Sequence, residues 1–101
     1  MRPIHLAKLD KTRPILVLTR ELVRHRLTSV TLAPITSRIR GLSTEVPVGP
    51  LNGLEHSSAV NLDNIATIAV ADLGRQIGRL LPEQEALLTD AILSAFDLDT
   101  S

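Results

Sequence analysis

The 101-residue chain has no cysteine, tryptophan or tyrosine, and its one phenylalanine is Phe96. Without cysteine there is neither a disulfide frame nor a thiolate-bound metal. So few aromatic rings argue against modules that read single-stranded nucleic acid by stacking bases on aromatic side chains. No apolar run reaches the roughly 18 residues of a membrane span. The opening Met1-Arg2-Pro3-Ile4-His5 lacks the longer apolar stretch and small-residue cleavage site of a signal peptide, so a cytoplasmic location is expected. The three histidines, His5, His25 and His56, are at least 20 residues apart and form no i,i+4 pair, so no metal site is expected. Each reads first as a surface or structural residue. Gly74-Arg75-Gln76-Ile77-Gly78 fits neither the dinucleotide nor the P-loop pattern, and no Gly-x-Ser-x-Gly elbow occurs.

What is present is aliphatic. The chain is 44% hydrophobic and 22% charged, a globular composition at the usual size of one domain, here residues 1–101. The net charge is zero but divided. Residues 1–40 hold nine Lys/Arg against Asp10 and Glu21, and residues 41–101 hold Arg75 and Arg79 against nine acids. A basic half points to a polyanionic partner, although solvated surface charge reads the same way. Nine of the eleven bases are arginine, which favours bidentate contact with phosphate.

Turn signals and β-branched runs divide the chain into short strands. Residues 3–9 alternate at Ile4, Leu6 and Leu9, and Asp10-Lys11-Thr12 turns into a second strand at Pro14–Thr19. Proline cannot donate to a ladder, so Pro14 is expected at the strand's first residue, with Arg13 held extended before it. Residues 20–27 are read as a short helix or a basic loop. A third strand runs from about Ser29 to Ile35, and Thr36–Ser43 is a basic connection. Thr44–Val48 is an edge strand because of Pro47. Ser58–Leu62, Ile65–Val70 and Arg75–Leu81 complete the strands, with Asp72-Leu73-Gly74 as a turn. Pro82-Glu83-Gln84-Glu85 opens a helix with an apolar face of Leu87, Leu88, Ala91, Ile92, Ala95 and Phe96. Asp97 and Asp99 sit at its unfavourable end, where fraying is expected. Six or seven strands and one C-terminal helix form a mainly β chain, a small twisted barrel with α.

Two strand ends carry the candidate chemistry. An arginine at the entrance of the second strand and the hydroxyls of Thr36 and Ser37 past the third suit a phosphate if the ends meet. Taken alone, Arg13 is a strand-edge charge, and Thr36 and Ser37 are turn residues.

Arg13-Pro14-Ile15-Leu16-Val17-Leu18 resembles the Arg-Pro-hydrophobic strand of the MazF/PemK family of toxin endoribonucleases. Val30–Thr36, continuing Ala-Pro-Ile-Thr-Ser, resembles that family's second signature. Ile4–Asp10, Thr44–Val48, Gly53-Leu54-Glu55 and Leu62–Ile68 follow in the family's order. The resemblance implies an SH3-like small barrel of the CcdB/MazF/PemK type and a homodimer. It also implies metal-independent, sequence-specific cleavage of single-stranded RNA, with no cofactor, by a type II toxin–antitoxin toxin (an mRNA interferase) that blocks translation and growth. The partner it implies is a partly disordered MazE-like antitoxin. The family's catalytic arginine and threonine fall on Arg13 and Thr36. Lys11, Ser37, Arg38, Arg40 and Asn64 are the candidate RNA contacts. Asn64 and Ala66 stand where many members have Gln and Arg, and the Asp10-Lys11-Thr12 loop is shorter than in many members. Two other readings are a non-catalytic toxin of the same fold that binds DNA gyrase, as CcdB proteins do, and a plain RNA-binding barrel.

Overall fold

The computed structural model describes residues 2–20 and 26–98. The choice of helix or loop for residues 20–27 falls on residues 21–25 and lies outside the described residues. Seven strands follow in order: β1 (Pro3–Lys8), β2 (Thr12–Val17), β3 (Ser29–Thr36), β4 (Glu45–Val48), β5 (Ser58–Asn61), β6 (Ala66–Ala69) and β7 (Leu73–Arg79). Among the described residues there is one α-helix, α1 (Glu85–Ala95), which follows the strands.

All strand pairs are antiparallel, in the order β4-β5-β3-β2-β1-β7, and β6 also pairs with β3. β3 is the hub: Ser29–Leu32 face β6, Ile35 and Thr36 face β5, and Leu32–Pro34 face β2. The second half of β2, Ile15–Val17, is a continuous buried apolar run because both of its faces are covered there. Leu16 joins Ile4, Ala33, Val46, Val60 and Leu88 in one cluster, and Ile15 and Val17 join Ala7 and Leu32 in another.

The structure adjusts several expectations. β2 begins at Thr12, so Pro14 is its third residue. The position is tolerated because β2 pairs with β3 only from Ile15 onward. In β1 the buried positions are Pro3, Ile4 and Ala7, with Leu6 half-buried. Bulges against β7 on both sides of His5 interrupt the two-residue alternation. The expected turn at residues 72–74 is a 3-10 turn at Val70–Asp72, and Leu73 and Gly74 already belong to β7. The helix likewise opens as a 3-10 turn, Pro82–Gln84.

Helix α1 packs Leu88 and Ala91 into the larger cluster, with Ile92 and Ala95 against it. Leu87 and Phe96, expected on that face, are about half exposed, at 46% and 55%. Instead of fraying at Asp97, the C-terminus is closed. Asp97 takes a left-handed φ of 54°, and Leu98 N–H donates to Leu93 O at 2.9 Å, a Schellman-type cap. Asp99 lies outside the described residues.

The strand path ends at β4 and β7, and two side-chain amides join these ends. Asn52, only 2% exposed, donates from Nδ2 to Arg79 O (2.9 Å) and to Gln84 Oε1 (2.6 Å), and its Oδ1 accepts from Gly49 N–H (3.0 Å). Gln84 donates from Nε2 to Pro47 O (3.2 Å) and Asn52 Oδ1 (3.3 Å), and its Oε1 also accepts from Leu81 N–H (2.8 Å). Every donor and acceptor position of both amides is used. Asn52→Ala leaves several of these buried groups unpaired, a cost of about 2 kcal/mol. For a chain of this size the melting temperature is expected to fall by about 10 °C in a circular-dichroism melt. An unchanged melt would show that the amide pair is not what closes the sheet.

Candidate active site

The site begins with strand register. Ile15 pairs with Pro34, Leu16 with Ala33 and Val17 with Leu32. Carried two residues further, the same register sets Arg13 opposite Thr36. The β2–β3 ladder stops before that point, beside Pro14 and Pro34, while Arg13 stays paired with Ala7 and Thr36 with Ala59.

Two adjoining hollows of about 690 and 670 Å³ open at this place. Arg13, Ile35, Thr36 and Ser37 line both and form the ridge between them. Lys11 lines the first hollow only, and Arg38, Arg40 and Asn64 line the second only. Each residue read from the sequence as a site candidate therefore borders one hollow or both. Arg13, Thr36 and Ser37 are brought together, whereas Lys11 is separated from Arg38, Arg40 and Asn64.

Arg13 is not a bare cation. Its Nε and Nη2 donate to Asp10 Oδ1 and Oδ2 at 2.9 and 3.0 Å, and Lys11 N–H donates to Asp10 Oδ1 at 2.9 Å. The short Asp10-Lys11-Thr12 loop thus places its carboxylate on the side edge of the guanidinium, leaving the Nη1 end for another anion. The Arg13 side-chain hydrogen bond, followed by that of the Lys11 backbone, lowers the Asp10 pKa from 3.8 to about 2. The same pairing raises that of Arg13 above its usual value, so Arg13 stays charged.

Thr36 is similarly committed. Its Oγ1 accepts from Arg38 N–H at 3.1 Å, a local turn that leaves the hydroxyl hydrogen free to donate. The loop after Ser37 wraps around a second carboxylate. Glu45 Oε1 and Oε2 accept from Arg40 N–H at 3.2 and 3.3 Å, and Oε1 also accepts from Leu42 N–H at 3.1 Å. Glu45 lines the second hollow and fixes the backbone that carries Arg38 and Arg40.

Sequence reading did not mark Asp10, Glu45, Glu55, His56, Arg75 or Gln76 as site residues. Asp10 and Glu45 border the second hollow, and the other four border the first. Asp10 had one signal, an acid three residues before the strand-edge arginine. For the hollow-lining role of the others, only tertiary packing decides.

Residues 3–96 match the family described as PemK-like, MazF-like toxin of type II toxin–antitoxin system. The chain is 64% identical over 99 residues to endoribonuclease MazF3 of Mycobacterium tuberculosis, covering 98% of this chain and 96% of that one. Its fold overlays the solved structure of M. tuberculosis toxin MazF-mt6 with a TM-score of 0.95, at 63% identity over 97% of this chain and 99% of the other. The same fold recurs at 24% identity, with a TM-score of 0.88 and coverage of 98% and 95%, in a mycobacterial endoribonuclease solved with its cognate antitoxin. With its Arg-Pro strand, its Ile-Thr-Ser strand end and its seven-strand sheet capped by one helix, the chain belongs to the PemK-like, MazF-like toxins of type II toxin–antitoxin systems.

Proposed function

We propose that residues 1–101 form a single toxin domain that cuts single-stranded RNA, without a metal cofactor, at the ridge of Arg13 and Thr36. That the chain is an RNA-cleaving toxin follows from its family and from relatives named endoribonuclease. The assignment of roles rests on one observation: a bidentate carboxylate holds Arg13 charged and oriented on the ridge it shares with Thr36.

In the reaction the ribose 2′-OH attacks the adjacent phosphorus and the P–O5′ bond breaks. The products are a 2′,3′-cyclic phosphate and a 5′-OH. Charge builds on the phosphorane oxygens, and the free Nη1 end of Arg13 stabilises it. Thr36 donates its hydroxyl hydrogen to a phosphoryl oxygen, and Ser37 lies beside it for the same oxygen or its neighbour. Arg38 and Arg40 across one side of the ridge, and Lys11 across the other, hold the flanking phosphates. Asn64 contacts a flanking nucleotide. A substrate nucleophile makes a 2′-OH obligatory, so DNA is not cut.

The toxin works as a homodimer in the cytoplasm, and a MazE-like antitoxin neutralises it. Among the described residues, no helix is long and apolar enough to cross a membrane. The gyrase-binding and plain RNA-binding readings are not favoured, because neither requires the Asp10–Arg13–Thr36 arrangement.

Incubating the protein with a long RNA in EDTA is expected to give defined cuts with 5′-OH ends, and Arg13→Ala is expected to slow cleavage about 10³-fold with the fold intact. Thr36→Ala should cost about 10²-fold. Cleavage by Arg13→Ala at the wild-type rate would remove Arg13 from the mechanism.

Asp10 gives a pH signature. Its pKa is lowered in the folded state, so its contribution to stability is present above the unfolded value of 3.8 and is lost as pH falls through about 2. The Asp10 carboxylate resonance in carbon-detected NMR is expected to titrate near the lower value in the native protein. In Arg13→Ala it should return toward 3.8. Asp10→Asn, which keeps the shape but drops the charge, is expected to reduce cleavage about 10²-fold through a misplaced guanidinium.

A further inference from the structure

The hollow between β2 and β7 contains a group that the reaction above does not use. His56 borders it together with Arg13 and Thr36. Its side chain is 78% exposed, and its nearest ionic neighbour, Glu55, is 3.9 Å away, beyond hydrogen-bond distance. The backbone that carries this free ring is fixed. Gly53 has a φ of 88°, and a β-carbon there would lie 2.1 Å from Ile77 O. One at Gly78 would lie 1.7 Å from Asn52 O, so the turn at residues 52–53 and β7 touch backbone to backbone. On the other side Ser58, 7% exposed, donates its hydroxyl to His56 O at 3.0 Å. The loop is thus anchored at both ends, and between the anchors the imidazole stands in solvent beside the exposed Glu55 and Ser57.

In most chains that bind single strands, aromatic rings hold the bases. This chain has one phenylalanine, and Phe96 lies beyond the end of α1 and borders neither hollow. Among the described residues that line the two hollows, His56 supplies the only aromatic ring. Below it Leu54, Ile35 and Ile77 make an apolar bed, and Gln76 and Arg75 make a polar edge. A flat base with a polar rim fits that arrangement, and imidazole is among the rings used for stacking unpaired bases.

We infer that the His56 ring is the platform on which one nucleobase next to the cut phosphate stacks, and that it helps set the position of the RNA across the ridge. The inference rests on the nuclease reading above. His56 is a positioning residue: it touches the base while Arg13 and Thr36 act on the phosphate.

The test uses the purified protein and a short RNA spanning its mapped cut, with His56→Ala and His56→Phe compared for kcat/KM. The same RNA is also made with an abasic ribose, which keeps the 2′-OH, at either nucleotide flanking the cut. His56→Ala is expected to lose about 10-fold or more, the scale of one base–aromatic stack, while His56→Phe keeps the wild-type rate. On the RNA abasic at the stacked position, wild type and His56→Ala should cleave equally slowly. Full activity in His56→Ala overturns the inference. So does equal loss in Ala and Phe, which would mark a polar or proton-transfer role, or a loss in Ala that persists on both abasic RNAs. If the wild type cuts and Arg13→Ala does not, these failures leave the nuclease reading standing. RNA left whole by the wild type overturns both.

Discussion

The amide pair of Asn52 and Gln84 is the constraint on which the site geometry depends. A curved sheet whose outermost strands do not hydrogen-bond to each other has two open ends. Here those ends are β4 and β7, and the two amides join them through Pro47 O, Gly49 N–H and Arg79 O. Such a network stabilises only when complete, because an unpaired buried amide costs more than a made bond gains. Gly53 and Gly78 belong to the same closure, since no side chain fits where the two backbones meet. The wall of the first hollow is made by this junction, so the shape of the site follows from how the sheet is closed.

The second constraint is register. A slip of one residue between β2 and β3 would turn Arg13 or Thr36 to the opposite face, because side chains alternate along a strand. The burial of β2 on both faces, Leu16 toward one cluster and Ile15 and Val17 toward the other, makes such a slip costly in either direction. The prolines Pro14 and Pro34 contribute by ending the β2–β3 ladder just short of Arg13 and Thr36. Core packing and site geometry therefore have one origin in these two strands.

Much of this was legible in the sequence, for identifiable reasons. Strand existence followed from β-branched runs between turn residues, and the helix from Pro82 and the spacing of Leu88, Ala91, Ile92 and Ala95. That Arg13 and Thr36 could meet was legible because two proline-marked strand ends carried them, whereas their separate roles came only from the family resemblance. Boundaries were less legible. The bulges beside His5 moved burial from Leu6 to Ala7, and β2 began two residues before Pro14, because both depend on neighbouring strands that a linear pattern does not contain. The exposure of Leu87 and Phe96 had the same cause: the helical period gives a face, but the narrow sheet beneath it covers only the centre. His56 was hidden for a related reason. Besides its own loop, Gly53–Glu55 and Ser58, its neighbours in the hollow come mainly from β2, β3 and β7, none of them close to it in sequence.

The proposed anion-binding ridge has carboxylates built into it, which looks contradictory, since Asp10 and Glu45 lower the local positive charge. The geometry resolves it. Asp10 takes the side edge of the Arg13 fork and leaves the Nη1 end, and Glu45 spends its oxygens on backbone N–H groups of the loop that carries Arg38 and Arg40. Neither acid occupies the ridge itself. Each uses charge to hold a flexible cationic segment in one place before substrate arrives, so less ordering remains to be done when the strand binds. A site with the same arginines and no acids would attract RNA more strongly at long range. Its guanidinium groups would then have to be fixed at the moment of reaction, which costs rate. The balance here gives up some attraction for orientation, and the exposed Lys8, Arg20 and Arg26, which border neither hollow, add attraction from outside it.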